Sequence, residues 1–212
     1  MDEEARATGH ESGGRPAYPA QWVEMHFRMG RSALDLVAGL ADGLFGTDQL
    51  EGNDMSAITE GREAVRAFVD HEHQELKTAV EWVHEVTEGM SRLPVDQRSE
   101  SLRRVLHWVD VDLKPHMAWE ESWLFPNIDD RVLPHWATGL VRFDHRQVAA
   151  QAERLRAHCT YGHPIPSSDV SRLVADLAGF EALIKAHIER EERFVMPLLE
   201  PEGDRWTAEW RD

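Results

Sequence analysis

The stretch LKPHMAWEESWLFP (Leu113 to Pro126) recurs 71 residues later as IKAHIEREERFVMP (Ile184 to Pro197). In this alignment His116 falls on His187, Glu120 on Glu191 and Pro126 on Pro197. The stretches DHEHQEL and FDHRQVA place His73 against His145 at an offset of 72, so each half of the chain carries one lone histidine and then a His-x-x-x-Glu. Residues four apart share one face of a helix. The apolar residues around them recur in steps of three and four, the helical period, and strand signals are absent. The repeat predicts a duplicated helical hairpin.

Four long amphipathic segments follow from the same periodicity. Helix A spans about Ile58 to Glu88 with the seam Val65, Val69, His73, Leu76, Val80, Val83. Helix B starts near Gln97, follows Leu102, Leu106, Val109, Leu113, His116, Glu120, Leu124, and is expected to stop at Pro126. Helix C starts near Pro134 and reads Val141, His145, Val148, Ala152, Leu155, Cys159. Helix D opens at Ser167-Ser168-Asp169, a cap-like run, and reads Leu173, Leu177, Phe180, Ile184, His187, Glu191, Phe194, Leu198. Short connections make neighbouring helices antiparallel. The predicted fold is all-α, an antiparallel up-and-down four-helix bundle over residues 57–200 with an extra N-terminal helix. That satellite helix covers residues 21–46, a disordered arm 1–20, and a tail 201–212 carries Trp206 and Trp210.

Counting residues from each histidine to the nearest turn gives heights that agree to within two or three residues, a few ångströms at about 1.5 Å per residue. His73, His116, His145 and His187 therefore meet in one layer, and Glu120 and Glu191 face the same space one turn on. Unpaired imidazoles and carboxylates in an apolar seam each cost kilocalories. A metal removes that cost. Four imidazoles and two carboxylates suit iron, manganese or zinc. Six side chains exceed the needs of one four-coordinate zinc, and two carboxylates able to bridge argue for two ions.

On these motifs, His73, His116-x-x-x-Glu120, His145 and His187-x-x-x-Glu191, with the helix-ending LFP and VMP, the stretch from Ile58 to Glu200 resembles the hemerythrin-like (HHE cation-binding) family. The resemblance implies a four-helix bundle around two non-haem iron ions, bridged by carboxylate and by oxo or hydroxo groups, with these six residues as ligands. By the repeat, His73 and His116 would serve one iron, and His145 and His187 the other, with Glu120 and Glu191 bridging. Oxygen-carrying members have a further His four residues after the helix C histidine, where this chain has Ala149. The difference argues against reversible oxygen carriage, and Ala149→His is expected to fill an open metal position. The implied ligands are O2, peroxide or NO. Two rival expectations are a di-iron oxidase or oxygenase acting on a small organic substrate, and a purely structural metal-stabilised bundle.

Residues near the six carry their own expectations. His71 lies at the edge of helix A's apolar face, and His84 shares the His73 face about 16 Å away, as core or in support of the site. His107, His135, His158 and His163 fall off the seams. His26, on the satellite helix, could cap a metal. Glu121 and Glu192, about 100° round from the seam glutamates, are expected in solvent, while Asp70 and Asp144 could hold an imidazole N–H. Trp119 and Trp123 pack core, and Pro115 should kink helix B just before His116.

The 212 residues, 42% hydrophobic and 29% charged, suit one globular domain. With 23 basic and 39 acidic residues the net charge is −16, which repels phosphate backbones and excludes nucleic acid as a partner. No apolar run is long enough to span a membrane. A single cysteine, Cys159, makes no internal disulfide, and the start MDEEARATGH lacks the features of a signal peptide. A cytoplasmic location is expected.

Overall fold

The computed structural model describes residues 55–129, 136–159 and 163–199. The arm, the satellite helix with His26, His135 and the tail with Trp206 and Trp210 lie outside the described residues. Everything regular within them is helical, and no strand is present among them. We label the four long helices α1 (Met55–Met90), α2 (the run from Val95–Trp108 to Phe125–Asp129), α3 (Trp136–Ala157) and α4 (Val170–Phe194), with a 3-10 turn at Met196–Leu199. None of these helices is long and apolar enough to cross a membrane.

The apolar seams pack as two cores. The larger gathers Leu76, Val83, Leu102, Leu113, Val148, Leu155, Leu177 and Ile184 with Trp108 and Phe180, whose rings meet edge to face at 6.4 Å. The smaller gathers Val65, Val69, Leu124, Phe125, Ile128, Val141, Val195 and Met196. His73 and His145 fall between the two sets along α1 and α3, and His116 and His187 lie where the larger set gives way to the smaller along α2 and α4, beside Met117 and Ile188 of the larger. Contacts across helix pairs match rising with falling residue numbers: Lys77 with Glu192 and His84 with Glu181 between α1 and α4, Asp144 with Arg190 and Gln151 with Asp176 between α3 and α4. At one end Arg98 joins two connections, donating to the Leu93 carbonyl at 3.0 Å and to Ser167 Oγ at 3.2 Å.

Contrary to expectation, Pro126 does not stop α2. Neither Pro115 nor Pro126 ends the helix or breaks it. Ahead of each, the chain inserts one wide π turn, Val109–Leu113 and Glu120–Leu124. There Lys114 N–H bonds the Val109 carbonyl and Phe125 N–H the Glu120 carbonyl, five residues back. A proline ring has no N–H to offer and crowds the carbonyl four residues back. The wider turn relieves both problems, and π turns often mark functional sites. Three smaller differences concern α4. Asp169 stands at its N-cap position but its side chain makes no cap bond. Phe194, assigned to the seam by its spacing, is 46% exposed, because the helix ends there and Val195 takes the core place. Pro197 sits in the 3-10 turn beyond the helix.

Leu177→Ala, within the larger core, should cost about 2–5 kcal/mol in urea unfolding of the metal-free protein. Val111→Ala, on an exposed part of α2, should stay within about 0.5 kcal/mol of the parent.

Candidate metal centre

α1 carries His73, α2 His116 and Glu120, α3 His145, and α4 His187 and Glu191; the bundle brings all six together. His73, Glu120, His187 and Glu191 are wholly buried, and His116 and His145 nearly so. Glu120 reaches in two directions. Its Oε1 lies 2.8 Å from Nε2 of His116, while Oε2 lies 3.1 Å from Nε2 of His145 and 4.0 Å from Nε2 of His187. Glu191 Oε2 stands 3.4 Å from Nε2 of His73 and 3.5 Å from Nε2 of His187. The imidazoles pair as His73 with His116, centroids 5.7 Å apart, and His145 with His187, 4.7 Å apart. Ligand atoms of His73, His116, Glu120 and Glu191 fall within 4.8 Å of one another, as do those of Glu120, His145 and His187. These are two groups sharing Glu120.

Close as they are, these atoms do not satisfy one another. No hydrogen bond of acceptable geometry reaches either ring nitrogen of His73, His116 or His187, Nε2 of His145, or any oxygen of Glu120 or Glu191. Buried polar groups are otherwise almost always bonded. Imidazole nitrogens and carboxylate oxygens that converge without a well-formed hydrogen bond among them are an arrangement a cation resolves, and the nitrogen and carboxylate set fits one.

Carboxylates also stand behind the imidazoles. Glu121 Oε1 lies 3.0 Å from Nδ1 of His145, Glu192 Oε1 3.5 Å from Nδ1 of His73, and Glu72 Oε2 3.8 Å from Nδ1 of His116. Glu121 and Glu192, expected in solvent, thus face imidazoles on neighbouring helices. The asset missed was the Glu-Glu doublet, repeated at the same offset of 71: each doublet places its first carboxylate in the layer and its second against α3 or α1. Asp144 and Asp70 do not hold imidazoles. Asp144 is buried in a paired contact with Arg190, 2.6 Å from both Nε and Nη2, and Asp70 lies on the surface beside Arg66 at 3.7 Å. His84 is neither core nor support; its side chain is 54% exposed and meets Glu181 at 3.2 Å. His71, His107 and His163 are exposed, and half-buried His158 pairs with Asp176 at 2.7 Å. Ala149 is exposed too, while Val148 takes the core-facing place on α3. A histidine at position 149 would therefore start from the solvent side. Trp119 and Trp123 stack on each other at 5.3 Å, with Phe68 edge-on to Trp119, against the smaller core.

Without a cation the layer is electrostatically strained. Burial pushes the His116 pKa down, but the charge of Glu120, aided by Glu191 and Glu72, outweighs it and raises the value to about 9. For Glu120 burial acts upward, and His116 and its other histidine neighbours outweigh it, holding the carboxyl well below its ordinary range. Burial and the Glu120 charge lift Glu191 to about 7. Burial lowers His187 to about 3. Glu120 is thus ionised against a His116 imidazolium, while Glu191 and His187 resist charge.

A family model described as the hemerythrin HHE cation-binding domain matches residues 64–199, which takes in all six residues. Neither the curated proteins nor the solved structures compared with the chain gave a match.

Between pH 6.5 and 9 His116 keeps its proton in the folded chain and loses it in the unfolded one, so stability falls as pH rises. Glu191 adds a fall in the same direction between 4.5 and 7, opposed up to 6.5 by His187, whose lowered pKa makes stability rise with pH. The metal-free protein should lose on the order of 3 kcal/mol from pH 6.5 to 9 in urea unfolding. A flat profile would contradict this electrostatic description.

Proposed function

Since the chain belongs to the hemerythrin HHE cation-binding family, we propose that it is a non-haem di-iron protein that binds or reacts with O2, peroxide or NO. The observation that carries this is the reach of Glu120, one oxygen toward His116 and the other toward His145 and His187. A carboxylate so placed serves two ions at once. His73 and His116 would hold one iron, His145 and His187 the other, and Glu120 and Glu191 would bridge them in an antiparallel up-and-down bundle built from the duplicated hairpin. The oxo or hydroxo bridge is part of the same proposal. When bound, two irons supply redox capacity and open coordination positions for a small ligand.

The chain's own residues do the rest. The two apolar cores exclude water from both sides of the layer, which strengthens every electrostatic interaction inside it. Glu121 accepts from Nδ1 of His145, and Glu192 faces Nδ1 of His73 at 3.5 Å, so that Nε2 of each ring is turned inward. Burial of all six groups favours a ligand of two or three atoms over an organic substrate, so the oxidase or oxygenase alternative ranks second. Among the described residues no further His, Cys, Asp or Glu joins the two groups. Six side chains shared between two ions would leave coordination positions for exogenous ligands, which favours a reactive centre over a closed, structural one. A cytoplasmic location is part of the same proposal, and the acidic charge disfavours a nucleic-acid partner.

Glu120→Ala and Glu191→Ala should each abolish uptake of both irons, since each carboxylate serves both. Glu121→Ala and Glu192→Ala should weaken binding roughly tenfold to a hundredfold without abolishing it. Azide or NO added to the iron-loaded protein should change its optical spectrum in a saturable way. An unchanged spectrum would make the centre structural. Release of intact O2 under vacuum after mixing with the reduced protein would restore a carrier role.

A further inference from the structure

We propose, on the basis of the di-iron assignment, that the two metal positions are kinetically unequal: the ion at His73 and His116 exchanges through a groove between α1 and α4 latched by Lys77, while the ion at His145 and His187 is locked in. The histidines at the two positions are backed differently. Behind His145, Glu121 is bonded by Arg142, which also meets Asp129 at 3.2 Å and Thr138 at 3.3 Å; Thr138 in turn donates to Asp129 at 2.7 Å. Phe125 stacks on the His145 ring at 5.4 Å, and the Arg142 guanidinium lies over Phe125 at 5.1 Å. Ring, carboxylate and guanidinium are each held by more than one contact. Moving any of them disturbs all.

Behind His73 stands Glu192 at 3.5 Å, and Glu192 is held by one bond, from Lys77 Nζ at 2.6 Å. Lys77 is 42% exposed. Both residues line an open groove of about 390 Å³, floored by Val80 and Ile188 and flanked by Glu81 and Glu189. The charges of the groove favour a cation. Lys77 is tied to Glu192 and Lys185 to Glu181 at 2.5 Å, whereas Glu81 and Glu189 have no partner among the described residues. An exposed ion pair of this kind contributes little stability, so it opens readily. When Lys77 lets go, Glu192 is free to swing from His73 and pass an ion between the groove and the buried layer. Glu192 is thereby both the support of an imidazole and the carboxylate that meets an incoming cation.

The test loads the full-length protein anaerobically with two iron(II) ions, adds excess 2,2′-bipyridine, and follows the coloured chelate. Release should be biphasic, one iron per chain in each phase. Lys77→Met should speed the fast phase roughly tenfold and leave the slow phase unchanged, and Lys77→Arg should restore the parent rate. Arg142→Met should speed the slow phase alone. Both irons leaving in one phase, or Lys77→Met changing both phases alike or neither, would overturn the inequality while leaving the di-iron assignment standing. A chain that takes up fewer than two irons at the outset would overturn that assignment and this inference with it.

Discussion

Six polar side chains lie buried between two apolar cores, and among the described residues only Nδ1 of His145, which meets Glu121, finds a hydrogen-bond partner. That imbalance governs the rest of the molecule. A domain is stable by only about 5–15 kcal/mol, and each unpaired buried group costs a sizeable share of it. Trp108, Phe180, Leu102, Leu173 and Leu177 on one side and Phe125, Val69 and Val195 on the other, all essentially without exposure, hold the helices in register while the layer between them opposes the fold. A cation reverses the sign of that opposition. Metal binding would then add to the stability of the metal-free fold, as expected where a site draws a ligand from every helix.

Much of this arrangement is legible in the sequence because the penalty is. A histidine that interrupts an apolar seam once is ordinary; four of them at matching heights, two with a glutamate one turn on, are a pattern that packing alone does not produce. Helix existence and the buried faces follow from the three-four period, and of the residues assigned to the four seams only Phe194 stands exposed, where helical geometry gives out at the end of α4. Glu121 and Glu192 are less legible, because their partners lie on other helices. Counting degrees round their own helix shows only that they leave the seam, and not that an imidazole of α3 or α1 waits there. The exposed Ala149 is a second case of this kind. One turn from His145 by count, it lies on the solvent side of α3, with Val148 turned inward instead.

The π turns of α2 show where side-chain pattern stops informing backbone geometry. Pro115 and Pro126 announce that an α-helical hydrogen bond is missing, but a break and a wide turn both answer that lack. Here the wide turn wins, since α2 must pass through the layer and continue to Ile128 in the smaller core. The segment Lys114–Trp119 between the two wide turns keeps regular α geometry, which preserves the four-residue spacing of His116 and Glu120. The second wide turn begins at Glu120 itself, the residue on which both halves of the layer converge.

The central claim is that one shared carboxylate layer holds two ions. Crystals of the iron-loaded protein, measured at the iron absorption edge, test it most directly. The account predicts two anomalous peaks roughly 3.5–4 Å apart, one beside His73 and His116 and the other beside His145 and His187, with Glu120 in contact with both. A single peak, or two peaks that Glu120 does not join, would contradict it.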